Sequence, residues 1–157
     1  MLKRTCNYRR QKRRPLDPQS LDNEILYDHI PDDFLIADIK LNGARHLMFA
    51  TTKQLRLLGK ADVWYLDGTF DVIRDPYKQL YSIHAFVKYG DSIKQFPMVF
   101  IMMSRRQTQD YVAVIERLIQ CITNVCGSGN VFYTHVIGLF ILRKSQIFLY
   151  IGFNLQH

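Results

Sequence analysis

The chain has 157 residues, with 21 Lys plus Arg against 14 Asp plus Glu, for a formal net charge of +7. That length suits one ordinary domain, and an apolar content of 48% is enough for a core, which excludes a chain disordered throughout. Three cysteines are too few for a disulfide scaffold, the N-terminus is charged where a signal peptide is apolar, and no run of 18 apolar residues offers a spanning helix, so an intracellular protein with reduced thiols and no membrane partner is expected.

The charge is unevenly placed. Residues 1–14 hold Lys3, Arg4, Arg9, Arg10, Lys12, Arg13 and Arg14 and no acid, which is the whole net excess; residues 15–157 carry 14 basic and 14 acidic residues and sum to zero. Arg9–Arg14 reads RRQKRR, a block that repels itself and stays solvated. Residues 1–18 are therefore expected to form a disordered basic arm. Arg9, Arg10, Lys12, Arg13 and Arg14 are candidate nucleic-acid-binding residues that neutralise phosphates, and the same block fits an address read by an import receptor. DNA is the expected partner and the nucleus the expected compartment; a solvated tail with no partner is the plain alternative.

Residues 19–61 form a segment of their own, acidic at first. His29-Ile30-Pro31-Asp32 reads as a turn, because a residue before proline is pushed out of the helical region. Two short apolar runs, Phe34–Ala37 and His46–Ala50, flank Asn42-Gly43, the dipeptide that favours a tight hairpin. Thr51 or Thr52 is placed to cap a short helix over Lys53–Leu58, with Gly59 as its stop.

Residues 62–123 read as three strands and a helix. Val63–Phe70, Gln79–Val87 and Phe96–Met103 are rich in strand-forming residues, and the third is apolar enough to predict burial on both faces. The links Arg74–Tyr77 and Tyr89–Ser92 are short, so both pairs should be antiparallel. A helix is predicted over Gln109–Thr123, with Thr108 as N-cap, Asp110 in the first turn and Tyr111, Ile115, Leu118 and Ile122 as the core stripe. Residues 124–157 form an apolar tail of strand-like composition. The whole is an α+β or mixed α/β arrangement.

Asp67 is the candidate for chemistry. A carboxylate in the aromatic-rich strand Trp64-Tyr65-Leu66-Asp67-Gly68-Thr69 is costly unless exposed, paired or bound to a cation. Asp-Gly is equally a common surface turn. Cys121 and Cys126 lie five apart and do not make a structural zinc site; free thiols are the simpler reading. His84 reads as a strand histidine satisfied by its neighbours.

Leu55–Leu58 followed by Asp62–Phe70 (DVWYLDGTF) resembles the "NLRLL…DTWFADGTF" signature of MULE transposase domains, the Mutator-like family often found beside FLYWCH zinc fingers. The resemblance continues through Tyr77–Ala85 and Phe96–Phe100 to Thr108 and Tyr111, and covers about residues 30–120. It implies a partial RNase H-like fold, with metal-dependent DNA strand cleavage and transfer through three acids holding Mg²⁺. Asp67 matches the first of them, as catalytic residue and metal ligand.

The family places its second and third acids beyond the helix. Here nothing after Glu116 is acidic, and Val131–Val136 offers His135 where a strand would end in Asp. Asp71 shares the strand parity of Asp67 but lies roughly 13 Å along the strand. The resemblance thus implies a truncated DDE-type transposase, inactive alone, that binds DNA through its arm; the alternative is a domesticated, non-catalytic DNA-binding or regulatory protein of transposon origin.

Overall fold

The structure is a computed structural model and describes residues 18–69, 72–127, 135–142 and 145–152, the last two stretches as backbone alone. Asn42 and Gly43 take positive φ values of 47° and 77°, the two-residue turn that matches strand twist, and so join β1 (Leu35–Leu41) to β2 (Ala44–Phe49). Thr51 then starts α1 (Thr52–Leu58) with a reciprocal cap: its hydroxyl accepts from the Gln54 backbone N–H, and the Gln54 amide oxygen accepts from the Thr51 N–H. The helix stops at Gly59, where a Cβ would lie 2.8 Å from Ile122 Cγ2.

β3 (Val63–Thr69) leaves α1 with Trp64 donating its indole N–H to the Leu58 carbonyl at 3.0 Å. β4 (Gln79–Tyr89) and β5 (Ser92–Met103) follow, joined by Gly90-Asp91 alone, so the hairpin runs farther than the predicted strand ends. α2 spans Thr108–Cys126, and its N-cap is Gln107 in place of the predicted Thr108. The reason is Asp110, whose carboxylate accepts the Gln107 backbone N–H at 2.8 Å and fixes the start one residue earlier. The predicted stripe is right in register: Val114, Ile115, Leu118, Cys121 and Ile122 are buried, with Tyr111 packed at the margin.

The sheet runs β1-β2-β5-β4-β3-β6-β7, where β6 is His135–Leu142 and β7 is Ser145–Gly152. β1, β2, β5, β4 and β3 are antiparallel neighbours, so the antiparallel part has five strands and not three; β6 lies parallel to β3, and β7 antiparallel to β6. The fold is mixed α+β. Both helices cover one face, and the core lies between Leu55, Leu58, Val114, Leu118 and Ile122 and the strand residues Trp64, Leu66, Tyr81, Ile83, Val99, Ile101 and Met103. Each such side chain contributes about 1.5–3 kcal/mol by leaving water.

Burial of Phe96–Met103 on both faces does not hold. Val99, Ile101 and Met103 are covered by the helices, Phe100 and Met102 are half-buried on the other side, and Phe96 is exposed. A bulge explains part of this: Ile83 pairs with Val99 but His84 pairs with Pro97, which leaves Met98 as the extra residue. Proline lacks a ladder donor and is tolerated at such a break.

Residues 18–34 are tied to the sheet by Arg45. Its guanidinium is fork-bonded to Asp38 (Nε–Oδ1 2.9 Å, Nη2–Oδ2 2.7 Å), and Nη1 donates to the carbonyls of Leu21 and Asn23 at 2.8 and 2.6 Å. Arg45 is 5% exposed.

Candidate functional site

In β3, Trp64, Leu66 and Gly68 turn toward the helices, so Tyr65, Asp67 and Thr69 occupy the opposite face. Asp67 sits half-buried on a strand with neighbours on both sides. In register it faces Ser82 on β4 and Leu139 on β6. The Ser82 hydroxyl lies 2.8 Å from His84 Nε2 and 3.5 Å from the Asp67 carbonyl oxygen. His84 thus has a neighbour that satisfies it, as expected. Burial lowers its pKa below the ordinary histidine value, and the attraction of Asp67 offsets only part of that. Tyr65 and Phe86 stack edge to face at 5.1 Å on the same surface.

Gly68 is required by packing. A Cβ there would lie 2.0 Å from Gln79 Nε2. Gln79 is buried, its amide oxygen accepts the Tyr111 hydroxyl at 2.8 Å, and Tyr111 meets Tyr81 edge to face at 5.2 Å. Gly68, Gln79, Tyr81 and Tyr111, drawn from separate stretches of the resemblance, therefore form one packed cluster beneath Asp67. Gly68→Ala is expected to cost about 1–3 kcal/mol by overpacking, measured by urea unfolding, and Gln79→Ala in the same chain should recover part of the loss. A Gly68→Ala protein as stable as the wild type would remove this packing role.

A Mg²⁺ pair needs oxygen ligands from several carboxylates. The residues beside Asp67 do not supply them: Ser82 offers a hydroxyl, already engaged, and β6 reads HVIGLFIL without an acid. Asp75 sits in the β3–β4 turn, exposed and paired with Lys78. Among the described residues no three His, Cys, Asp or Glu side chains converge. The described residues therefore do not fit the Mg²⁺ pair that the resemblance implies. Asp71 and residues 131–134 lie outside the described residues, as do Arg9, Arg10, Lys12, Arg13 and Arg14. Cys121 is buried, with its thiol pKa raised by that burial, and Cys126 is partly buried; the two are not joined to each other in a disulfide.

Asp110 belongs to a second polar cluster, on the helix side of the sheet. It is fully buried and bonded to Arg105 through both oxygens, at 3.0 and 2.8 Å, while Arg105 Nη1 donates to the Asn42 carbonyl at 2.9 Å. His46, also fully buried, has Nε2 3.4 Å from Asp110 Oδ1 without the alignment of a hydrogen bond. Burial pushes the His46 pKa down against the pull of Asp110. Burial pushes the Asp110 carboxyl up, but the Arg105 and Gln107 hydrogen bonds outweigh it and the pKa falls below the ordinary value. Helix start, β1–β2 turn and sheet are joined by this cluster; its geometry is that of a brace, with Asp110 and His46 buried and Arg105 reaching the surface. Reading the sequence locates Asp110 only as a first-turn anion, since nothing in it marks Arg105 as its partner.

The chain matches no protein-family model, no curated protein and no solved structure.

Proposed function

We propose that this chain is a DNA-binding protein of MULE transposase descent, with the front part of an RNase H-like domain, that does not cleave DNA by itself. The observation that carries the reading is the placement of Asp67. It lies on the strand that opens a three-stranded antiparallel meander, and the strand after the following helix returns parallel beside it. Three antiparallel strands and then a helix is the order that the resemblance implies; the parallel return of β6 lies in the stretch that departs from the family in sequence. In the family the second acid lies on that returning strand; here Leu139 faces Asp67. DNA contact is assigned to the basic arm, whose RRQKRR block also suits nuclear import. A regulatory protein of transposon origin is the same reading with a host role, and the missing carboxylate beside Asp67 favours it over an active enzyme.

Two assays on the full chain test this. DNA binding should weaken steeply with salt, and alanine at Arg9, Arg10, Lys12, Arg13 and Arg14 should reduce the slope of log K against log salt by about 4.5, roughly 0.9 per phosphate contact. Strand nicking and transfer with Mg²⁺ should be absent. Cleavage that Asp67→Ala abolishes would restore an enzyme, and binding indifferent to the arm substitutions would move the DNA site elsewhere.

A further inference from the structure

The β4–β5 hairpin outruns its sheet. β3 pairs with β4 only through residues 80–84, and β2 pairs with β5 only through residues 100–103. From Ala85–Phe96 to Tyr89–Ser92 the two strands pair with each other and with no other described strand. At about 3.4 Å per residue this two-stranded ribbon reaches roughly 15 Å past the neighbouring strands; its base is still packed on the core through Ala85 and Val87, and residues 88–94 project beyond it. It is also where exposed apolar side chains gather: Phe86, Tyr89, Ile93 and Phe96 are all in it, with Tyr89 89% exposed at the tip. Interleaved with them are Lys88 and Lys94, both exposed. Within residues 85–96 the charged residues are Lys88, Lys94 and the single acid Asp91, a net charge of +1.

The register places the two lysines on opposite faces. Lys88 shares the face of His84 and Phe86, whereas Lys94 pairs with Val87 and shares the helix-side face with Phe96. A two-stranded ribbon fits the major groove of duplex DNA, about 12 Å wide. Entering tip-first, this one would present one ammonium to each phosphate wall and Tyr89 to the base edges. The stack of Phe86 on Tyr65 stiffens its base. We propose that the β4–β5 ribbon is a second DNA-contacting element of the chain, docking in the major groove of duplex DNA through Lys88, Lys94 and Tyr89. This rests on the DNA-binding reading above and adds a contact independent of the arm.

The test is anisotropy with a labelled duplex across a salt series, on the full chain, the arm-neutralised chain, and Lys88→Ala/Lys94→Ala in both backgrounds. Both lysines are exposed, so the double variant should melt like the wild type. It should lose affinity about tenfold, with a slope reduced by about 1.8 for two phosphate contacts, in either background. Tyr89→Ala should weaken binding without changing the slope. Wild-type affinity and slope in the double variant would overturn the ribbon while leaving an arm-dependent DNA binder intact. A wild-type chain that binds no duplex at any salt would overturn both. Phe86→Ala/Ile93→Ala that converts a dimer to a monomer by light scattering, with DNA affinity unchanged, would assign the ribbon to a second copy of the chain and also overturn the proposal.

Discussion

Replacing Asp110 with alanine is expected to destabilise the fold by about 3 kcal/mol, the low end of the range for stripping one partner from a buried ion pair, because the Arg105 side chain stays 28% exposed. The substitution leaves the Arg105 guanidinium without its fork, frees the Gln107 N–H that sets the start of α2, and leaves His46 with no anion nearby. Asp110→Asn keeps the volume and one acceptor, so it should lose less, about 1–3 kcal/mol. Urea unfolding with an unchanged m-value would give both numbers. An alanine variant within about 1 kcal/mol of the wild type would mean the cluster is not a brace.

The same cluster gives a pH dependence whose sign is set by burial. The His46 pKa is lowered in the fold, so the native protein holds the ring neutral while the unfolded chain titrates near 6.5. The unfolded state therefore binds more protons as acid is added. Stability is complete above about pH 6.5 and falls as pH drops through that value, by up to about 1.4 kcal/mol per pH unit for one histidine. His84 acts in the same direction. Asp110, with a lowered pKa, adds a loss of the same sign only below its ordinary value of 3.8. A urea midpoint that does not move between about pH 7.5 and 5.5 would contradict neutral burial of His46.

Local chemistry made much of this fold legible. Asn42-Gly43, the Thr51 cap and the α2 stripe each act within a few residues, and each lies where its chemistry predicts. What escaped depends on distant partners. β1 and β2 join the sheet because β2 meets β5 more than fifty residues later, and no local pattern encodes that meeting. The bulge at Met98 follows from one proline in a strand whose composition otherwise reads as continuous. At the candidate site, Asp67 was visible as a costly carboxylate, but the reason for its glycine was not. Gly68 reads as half of a turn pair, whereas in the fold it is the gap that admits Gln79. Arg45 is the least legible of all: it stands just before the apolar run that His46 opens, nothing local marks it as buried, and arginine is rarely buried unless paired.

Arg45 is the second position where one side chain should carry a large share of the stability. Residues 18–34 have few other anchors: Leu26 and Tyr27 are 50% and 65% exposed, and no residue of the short 3-10 turn at Tyr27–His29 is buried. The fork to Asp38 and the two carbonyl contacts therefore hold the segment to the sheet, and with it the point from which the basic arm departs. Arg45→Ala is expected to cost about 3 kcal/mol, chiefly because it removes a buried side chain and leaves two carbonyls without donors; the exposed Asp38 carboxylate is rehydrated and adds little. Arg45→Lys should recover little, since an ammonium cannot reproduce the planar fork. Arg45→Met combined with Asp38→Leu should cost less than the sum of the single changes, because it removes both charges together. Limited proteolysis supplies the local readout: cleavage within residues 18–34 should rise sharply in Arg45→Ala and stay low in Asp110→Ala under conditions where both remain folded. Equal cleavage in the wild type and Arg45→Ala would show that the segment is held by something other than this guanidinium.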